Sequence, residues 1–114
     1  MTKLSIITAF LNEAKNLPQF AERVLAIGKQ LDCQIEVVLV DDHSTDVSMA
    51  IAKKWASEDS RVTYIRLSRN CGSHAAFSAG LAHCTGDCAV LLAADLQDRL
   101  FAWYDPNTNP FRPS

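Results

Sequence analysis

The segment from Ile35 to Val40 constrains the fold most, because it is apolar almost throughout and does not alternate with polar residues. A strand with this pattern is covered on both faces, which is typical of a parallel sheet with helices on each side. The segment runs directly into Asp41 and Asp42. The sequence therefore predicts a buried strand that delivers two carboxylates at its C-terminal end.

Apolar runs and amphipathic segments alternate along the chain. Strands are predicted at residues 4–9, 35–40, 62–67 and 88–94. Helices are predicted between them, each preceded by a candidate N-cap: Asn16, then one of Ser44, Thr45 and Asp46, then Ser73. This β-α-β-α-β-α-β order favours right-handed crossovers. We expect an α/β fold, a Rossmann-like, doubly wound and mostly parallel sheet in three α/β/α layers, with strand order 3-2-1-4.

Composition excludes several classes of protein. The 114 residues suit one small domain, and 48% hydrophobic with 21% charged residues argues against disorder. A net charge of -2 argues against a nucleic-acid partner, and no signal peptide or membrane-spanning run is seen. The four cysteines are interpreted as reduced thiols of a cytoplasmic protein. A zinc site at His83, Cys84 and Cys88 is discounted, because no second cluster completes it.

The stretch from Val90 to Asp98 begins as an apolar run and ends in polar groups. Asp95, Gln97 and Asp98 supply oxygen ligands that suit Mg²⁺ or Mn²⁺. The alternative interpretation is a strand followed by an ordinary polar turn. In the predicted sheet, the loops that carry Glu13, Asp42 and Asp95 converge at the switch point between strands one and four, where open α/β sheets bind ligands.

Other chemistries have less support. The dinucleotide fingerprint and the P-loop are both absent from the sequence. His43, His74 and His83 are interpreted as polar residues without a catalytic role, and Cys71 as incidental because no base lies near it in sequence. A flavodoxin-like receiver is disfavoured, since no lysine ends a later strand. Arg69 and the helix start at Gly72–Ser73 offer donors to phosphate or sugar.

Four segments together resemble family-2 glycosyltransferases, with the polyprenyl-phosphate (dolichol-phosphate-mannose-synthase-like) transferases as the nearest branch. They are Ile6–Glu13, Val40–Asp46, Leu67–Gly72 and Ala94–Asp98, and they occur in the family's order. The resemblance implies a GT-A fold, a UDP- or GDP-linked sugar donor and a divalent cation, Mg²⁺ or Mn²⁺. It also implies transfer to a lipid phosphate at the cytoplasmic face of a membrane.

The resemblance also assigns residues to this site. Asp95 and Gln97 would hold the metal and the diphosphate. The nucleotide-binding set would comprise Ala9, Leu11, Glu13, Val40, Asp42, Arg69 and Ala94. No catalytic residue is assigned, because the family's base and its acceptor-binding half follow the matched motifs.

Departures from the family pattern weaken parts of this assignment. Ala93 stands where the family usually has an aspartate, and Ala9 and Leu11 replace a proline and a tyrosine. Arg99 stands where a proline is usual. We expect residues 1–98 to form a donor-binding half-domain, residues 99–114 to form an irregular tail rich in proline and aromatic residues, and the chain as it stands to lack transferase activity.

A second hypothesis keeps only the scaffold. The lost aspartate, the missing base and the aromatic tail would then belong to a non-catalytic interaction or assembly module. An uncovered sheet edge and an apolar patch would favour a homo-oligomer.

Overall fold

A computed structural model describes residues 3–31, 34–93, 100–105 and 109–113; for the last two ranges and for residues 31, 73, 74 and 93 it describes the backbone alone. Its elements are, in chain order, β1 (Lys3–Phe10), α1 (Leu17–Leu31), β2 (Gln34–Asp41), α2 (Ser48–Glu58), β3 (Val62–Arg66), α3 (Ser73–His83), β4 (Cys88–Ala93), β5 (Leu100–Asp105) and β6 (Asn109–Pro113).

The six strands form one sheet in the order β3-β2-β1-β4-β5-β6. The strands β1 to β4 run parallel, so the predicted order 3-2-1-4 is confirmed. Ala9 near the end of β1 is level with Val40 of β2 on one side and with Ala93 of β4 on the other. The carboxyl ends of these three strands therefore lie side by side.

Two separate cores confirm the three-layer arrangement. On one face of the sheet, α1 and α2 bury Phe20, Val24 and Ala52 against alternate strand residues such as Ile6 and Leu39. On the other face, α3 packs on the remaining strand residues, among them Ile7, Val38 and Val40. The apolar side chains of β2 are thus buried on both faces of the sheet, which explains why they do not alternate with polar residues.

The helix α3 lies unusually close to the sheet. A β-carbon added at Gly80 would come within 2.4 Å of Ile7 Cγ2 and 3.2 Å of Val40 Cγ2. The absence of a side chain at Gly80 therefore allows the helix to approach the sheet this closely. The helix fixes the loop before it at a short distance from the end of β2.

The expectation of an irregular segment after residue 98 is wrong for the described part of that segment. β5 pairs antiparallel with β4, and β6 pairs antiparallel with β5. The strand β5 forms backbone hydrogen bonds with the edge of β4 that faces away from β1. No sequence pattern predicts this pairing. Pro110 and Pro113 are compatible with β6 because this strand forms the outer edge of the described sheet. The edge of β4 is thus covered, contrary to the motivation for an assembly module.

Two helix starts also differ from expectation. α2 begins at Ser48, after Val47, and no side chain caps it. Asp46, which lies just before the helix, accepts a hydrogen bond from Ser48 N at 2.8 Å. α3 begins at Ser73, with Gly72 in the capping position. None of the helices in the described ranges is both long and apolar enough to cross a membrane.

The N-terminal ends of β1, β2 and β4, which we call the N-terminal rim, are closed by a polar network. Glu36 accepts hydrogen bonds from Ser5 Oγ at 2.6 Å and from Thr85 Oγ1 at 3.0 Å. Lys3 Nζ donates to Thr85 Oγ1 at 2.7 Å, and Lys3 N donates to Asp87 Oδ2 at 2.8 Å. Each donor in this network meets an acceptor from a different strand or turn, so the rim is sealed between β1 and the turn before β4.

Candidate functional site

The opposite end of the sheet, which we call the C-terminal rim, consists of the loops that follow β1, β2 and β3. Because the strands are parallel and neighbouring, these loops lie next to one another. They carry most of the residues that the sequence singled out. Their geometry is fixed by three consecutive residues, Asp41, Asp42 and His43, together with Asn12.

Asp41 is fully buried, on the face covered by α1 and α2. Its carboxylate accepts hydrogen bonds from Ser44 N at 2.7 Å, from Tyr64 Oη at 2.6 Å and from Arg66 Nη1 at 3.2 Å. Burial, and then the hydrogen bond to Asp41, raise the pKa of Tyr64 to about 12. Because the carboxylate of Asp41 is fully buried and accepts from three donors of the protein, we assign it a structural role.

Asp42 points to the other face of the sheet and is 5% exposed. Its carboxylate oxygens accept the backbone N–H of Cys71 at 2.8 Å and of Gly72 at 3.0 Å. Gly72 has a φ of 91°, a conformation that glycine adopts without strain. The carboxylate thus holds the loop that leads into α3.

Asn12 links the first two loops of the rim. Its side-chain oxygen accepts hydrogen bonds from Thr45 N at 2.8 Å and Asp46 N at 3.2 Å, while its own N–H donates to Ser44 Oγ at 2.9 Å. It has a φ of 56°, which asparagine tolerates better than most residues. The loops after β1 and β2 therefore form one unit.

His43 has a φ of 71°, in the left-handed region that favours glycine. Its ring nitrogen Nδ1 lies 3.2 Å from the carbonyl oxygen of Leu67, so the Nδ1–H tautomer donates a hydrogen bond to it. Leu67 N in turn donates to Asp41 O at 2.9 Å. The turn after β2 is thereby connected to the start of the loop that follows β3.

The predicted nucleotide-binding residues differ in their accessibility. Leu11 is exposed, Glu13 is half-buried and accepts a hydrogen bond from Asn16 Nδ2 at 3.1 Å, and Arg69 is exposed. Val40, by contrast, is fully buried in the core beneath α3. Ala9 is half-buried against the same core. The side chains of Ala9 and Val40 therefore form the floor of the rim, and Leu11, Glu13 and Arg69 are the accessible members of the set.

The predicted metal ligands Asp95 and Gln97 lie outside the described residues, as do Asp98 and Ala94, a member of the predicted nucleotide-binding set. Within the described ranges, no group of three or more His, Cys, Asp or Glu side chains is arranged to hold a metal ion. The strand β4 leads to these residues and ends at Ala93, beside the end of β1.

An open groove of about 720 Å³ lies at the opposite end of the sheet, beside the polar network of the N-terminal rim and between α1 and the starts of β2 and β3. Its lining includes Lys3, Gly28, Ile35 and Arg61. Lys3 and Arg61 are already paired, the latter with Asp59 Oδ2 at 2.7 Å. The groove is at the wrong end of a parallel sheet for ligand binding, and its lining flanks residues 32 and 33, which are not described. We place the candidate site at the C-terminal rim.

Sequence reasoning missed the roles of Asn12, Asp41 and His43. For the two adjacent acids a signal existed: consecutive residues at a strand end point to opposite faces, so Asp41 and Asp42 could not both reach one site. The positive φ values of Asn12 and His43 have no comparably clear signal in the sequence, because only glycine reliably predicts such a conformation.

Comparison with known proteins agrees with this architecture. Residues 5–99 match the family model described as glycosyl transferase family 2. The undecaprenyl-phosphate 4-deoxy-4-formamido-L-arabinose transferase of Sodalis glossinidius is 42% identical over 97 residues, which cover 84% of this chain and 30% of that protein. The transferase of the same name from Proteus mirabilis is 40% identical over 99 residues, covering 86% of this chain and 30% of that protein. The chain thus spans about 30% of the length of these relatives.

Solved structures show the same fold. The mannosyltransferase PcManGT from Pyrobaculum calidifontis, in complex with GDP-Man and Mn²⁺, superposes with a TM-score of 0.73 at 26% identity, over 82% of this chain and 28% of that one. Staphylococcus aureus TarS, residues 1–349, superposes with a TM-score of 0.65 at 24% identity, which supports the fold alone. The fold is therefore of the GT-A type, and the chain belongs to glycosyl transferase family 2.

Proposed function

We propose that this chain binds a nucleoside-diphosphate sugar at the C-terminal rim, as the donor-binding portion of a transferase that acts on a polyprenyl phosphate. The observation that carries the proposal is the family match over residues 5–99, combined with the side-by-side ends of β1, β2 and β4. The relatives named above are transferases with undecaprenyl phosphate in their names, which supports a lipid-phosphate acceptor at a cytoplasmic membrane face.

The proposed donor site uses Leu11 and Glu13 as accessible nucleoside contacts, above a floor that contains Ala9 and Val40. Arg69 is exposed on the loop that Asp42 holds, and a guanidinium there suits a diphosphate. Asp42 belongs to the same predicted set, although its carboxylate is engaged by backbone N–H groups. Ala94 remains a predicted member of the set.

Asp95 and Gln97 are proposed to hold a divalent cation, either Mg²⁺ or Mn²⁺. A carboxylate and an amide oxygen are the hard donors that these ions prefer. When bound, such an ion neutralises charge on a departing nucleoside diphosphate. The Mn²⁺ in the mannosyltransferase complex supports this proposal. Because the relatives named above are transferases, we do not carry the assembly-module hypothesis forward; homo-oligomerisation remains a prediction.

Calorimetry tests the proposal directly. We expect UDP or GDP, or a sugar derivative of one of them, to bind in the presence of Mn²⁺, and we expect Asp95→Ala to weaken the dependence on metal. Asp87→Ala, at the opposite end of the sheet, serves as the matched control and should bind as the parent does. Failure of every nucleoside diphosphate to bind, with and without Mn²⁺, would refute the proposal.

A further inference from the structure

Two loops of the C-terminal rim are joined through Asn12 and Ser44. The backbone N–H of Asn12 donates to Ser44 Oγ at 2.9 Å. The side-chain oxygen of Asn12 accepts the backbone N–H groups of Thr45 at 2.8 Å and of Asp46 at 3.2 Å. These three hydrogen bonds connect residues that are 32 to 34 positions apart in the chain. They fix the distance between the loop after β1 and the turn after β2.

Ser44 belongs to the buried framework of the sheet. It is 3% exposed, its N–H donates to Asp41 Oδ1 at 2.7 Å, and its carbonyl oxygen accepts from Arg66 Nη1 at 3.1 Å. Asp41 is itself fully buried. Both backbone groups of Ser44 are therefore held by side chains from β2 and β3, and its hydroxyl extends this framework to Asn12.

The segment around Asn12 is also fixed on its C-terminal side. Glu13 O accepts hydrogen bonds from the backbone N–H groups of Asn16 and Leu17, both at 3.0 Å, where α1 begins. The segment is thus held by the turn after β2 on one side and by α1 on the other. The side chain of Leu11 remains exposed on this supported backbone.

The two joined loops both carry predicted nucleoside contacts. In the first loop, Leu11 and Glu13 flank Asn12. In the second, Asp42 lies two residues before Ser44. A ligand that contacts both loops binds more tightly when their separation is fixed beforehand, because ordering loops during binding costs free energy.

We propose that Asn12 and Ser44 are positioning residues for the nucleoside of the donor, which hold the loop of Leu11 and Glu13 at a fixed distance from Asp42. The proposal rests on the proposed function and deepens it, because it gives a task to two residues outside the nucleotide-binding set. Neither residue needs to touch the ligand. The proposal predicts that their loss weakens recognition of the nucleoside and leaves the contributions of the phosphates and the cation unchanged.

The first test compares ligands with and without phosphates. Affinities for UDP and GDP with Mn²⁺ are measured by calorimetry, and those for uridine and guanosine by chemical-shift titration. We expect Asn12→Gly to weaken the nucleoside and its diphosphate by the same factor, about fivefold. Glycine adopts a φ of 56° without strain, so this variant loses the side-chain hydrogen bonds alone. Asn12→Asp keeps an acceptor oxygen and should bind the nucleoside within about twofold of the parent.

Ser44→Ala and Ser5→Ala form a matched pair. Each serine is buried, and its hydroxyl accepts one backbone N–H from a distant segment at 2.9 Å, from Asn12 for Ser44 and from Gly86 for Ser5. Ser44 lies at the C-terminal rim and Ser5 at the N-terminal rim. We expect both variants to lower the free energy of unfolding, but only Ser44→Ala to weaken the nucleoside, about threefold. A purely structural role of Ser44 would leave the affinity unchanged in both variants.

Amide hydrogen exchange tests the link between the loops without any ligand. Thr45 and Asp46 are exposed, and their backbone N–H groups donate to Asn12. We expect exchange at these two amides to become at least about tenfold faster in Asn12→Gly. It should stay within about threefold of the parent rate in Asn12→Asp and in Ser5→Ala.

The outcomes separate this inference from the proposed function. An Asn12→Gly variant that binds the nucleoside as the parent does, a loss confined to the diphosphates, or unchanged exchange at Thr45 and Asp46 would overturn the inference alone. So would a Ser5→Ala variant that weakens the nucleoside as much as Ser44→Ala. Asn12→Gly keeps the test decisive if Ser44→Ala does not fold, because Asn12 is exposed. A parent that binds no nucleoside diphosphate would overturn the proposed function, and the inference with it.

Discussion

The two ends of the sheet both carry carboxylates that the protein itself engages, and the ends differ in what surrounds those carboxylates. At the N-terminal rim, Glu36 and Asp87 accept hydrogen bonds that tie the strand ends to the turn before β4. At the C-terminal rim, Asp41 and Asp42 orient loops whose own side chains, such as Leu11 and Arg69, remain exposed. A count of acidic residues does not separate the two ends, whereas the exposed side chains of the loops at the C-terminal rim do.

The largest effect on stability is expected from Asp41→Ala. The substitution leaves the hydroxyl of Tyr64 without its acceptor and leaves Arg66 with Ser44 O as its described partner. Removing a fully buried carboxylate that accepts from three donors, one of them a partly exposed guanidinium, costs about 3 kcal/mol. Urea denaturation followed by circular dichroism measures the loss. Asp46→Ala is the control, since Asp46 also accepts a backbone N–H but is exposed. A loss no greater than that of the control would show that the loop framework does not depend on Asp41.

Glycine substitutions sharpen the contrast between a sealed and an open rim. A β-carbon at Gly86 would lie 2.4 Å from Ser5 Oγ and 2.9 Å from the backbone atoms Lys3 O and Ser5 N, so Gly86→Ala should cost about 3 kcal/mol. At Gly72 a β-carbon meets nothing within 4 Å, and Gly72→Ala should cost about 1–2 kcal/mol from its φ alone. The same denaturation experiment ranks the two, and the reverse order would contradict the comparison.

The smallest effect, and the one that depends on pH, is expected from Glu36→Gln. Burial alone would raise the pKa of Glu36, but hydrogen bonds from Ser5 and Thr85 and the charge of Lys3 outweigh it, so the pKa lies below its usual range. A carboxylate with a lowered folded-state pKa stabilises the protein fully above its unfolded value, about 4.3, and loses this contribution as the pH falls through the folded value.

At neutral pH we therefore expect Glu36→Gln to cost about 1–2 kcal/mol. The difference in unfolding free energy between parent and variant should shrink as the pH falls from about 5 toward 3, as measured by urea midpoints at each pH. Glu58→Gln, at the exposed end of α2, is the control. A difference that stays constant across this range would show that the charge of Glu36 has no part in sealing the rim.

The sequence predicted the central sheet because its signals there are local. The unbroken apolar run at residues 35–40 predicts a strand buried on both faces, and the acids that follow it indicate the C-terminal rim. Each of these inferences needs only the pattern within one segment and the rules of parallel sheets.

What the sequence did not reveal depends on contacts between distant segments. Ser5, Glu36 and Thr85 look like isolated polar residues until the fold brings three strand ends together. The prolines after residue 105 suggested an irregular tail, yet Pro110 and Pro113 lie in β6, at an edge that exists only once β4 and β5 have paired. The double engagement of Asp42 depends on the course of a loop almost thirty residues later.

The central position of β1 has a consequence for how the chain reaches its native state. Its two neighbours in the sheet are made later during synthesis, and the hydrogen bond from Lys3 to Asp87 joins residues 84 positions apart. Such non-local pairing slows folding, because the entropy of loop closure is lost before the contacts form. While the ribosome is still adding β4, Ile6 and Ile7 lack one of their partners. The strand β1 therefore reaches its final environment only after β4 has been made, and until then one of its edges is unpaired and open to association with other chains.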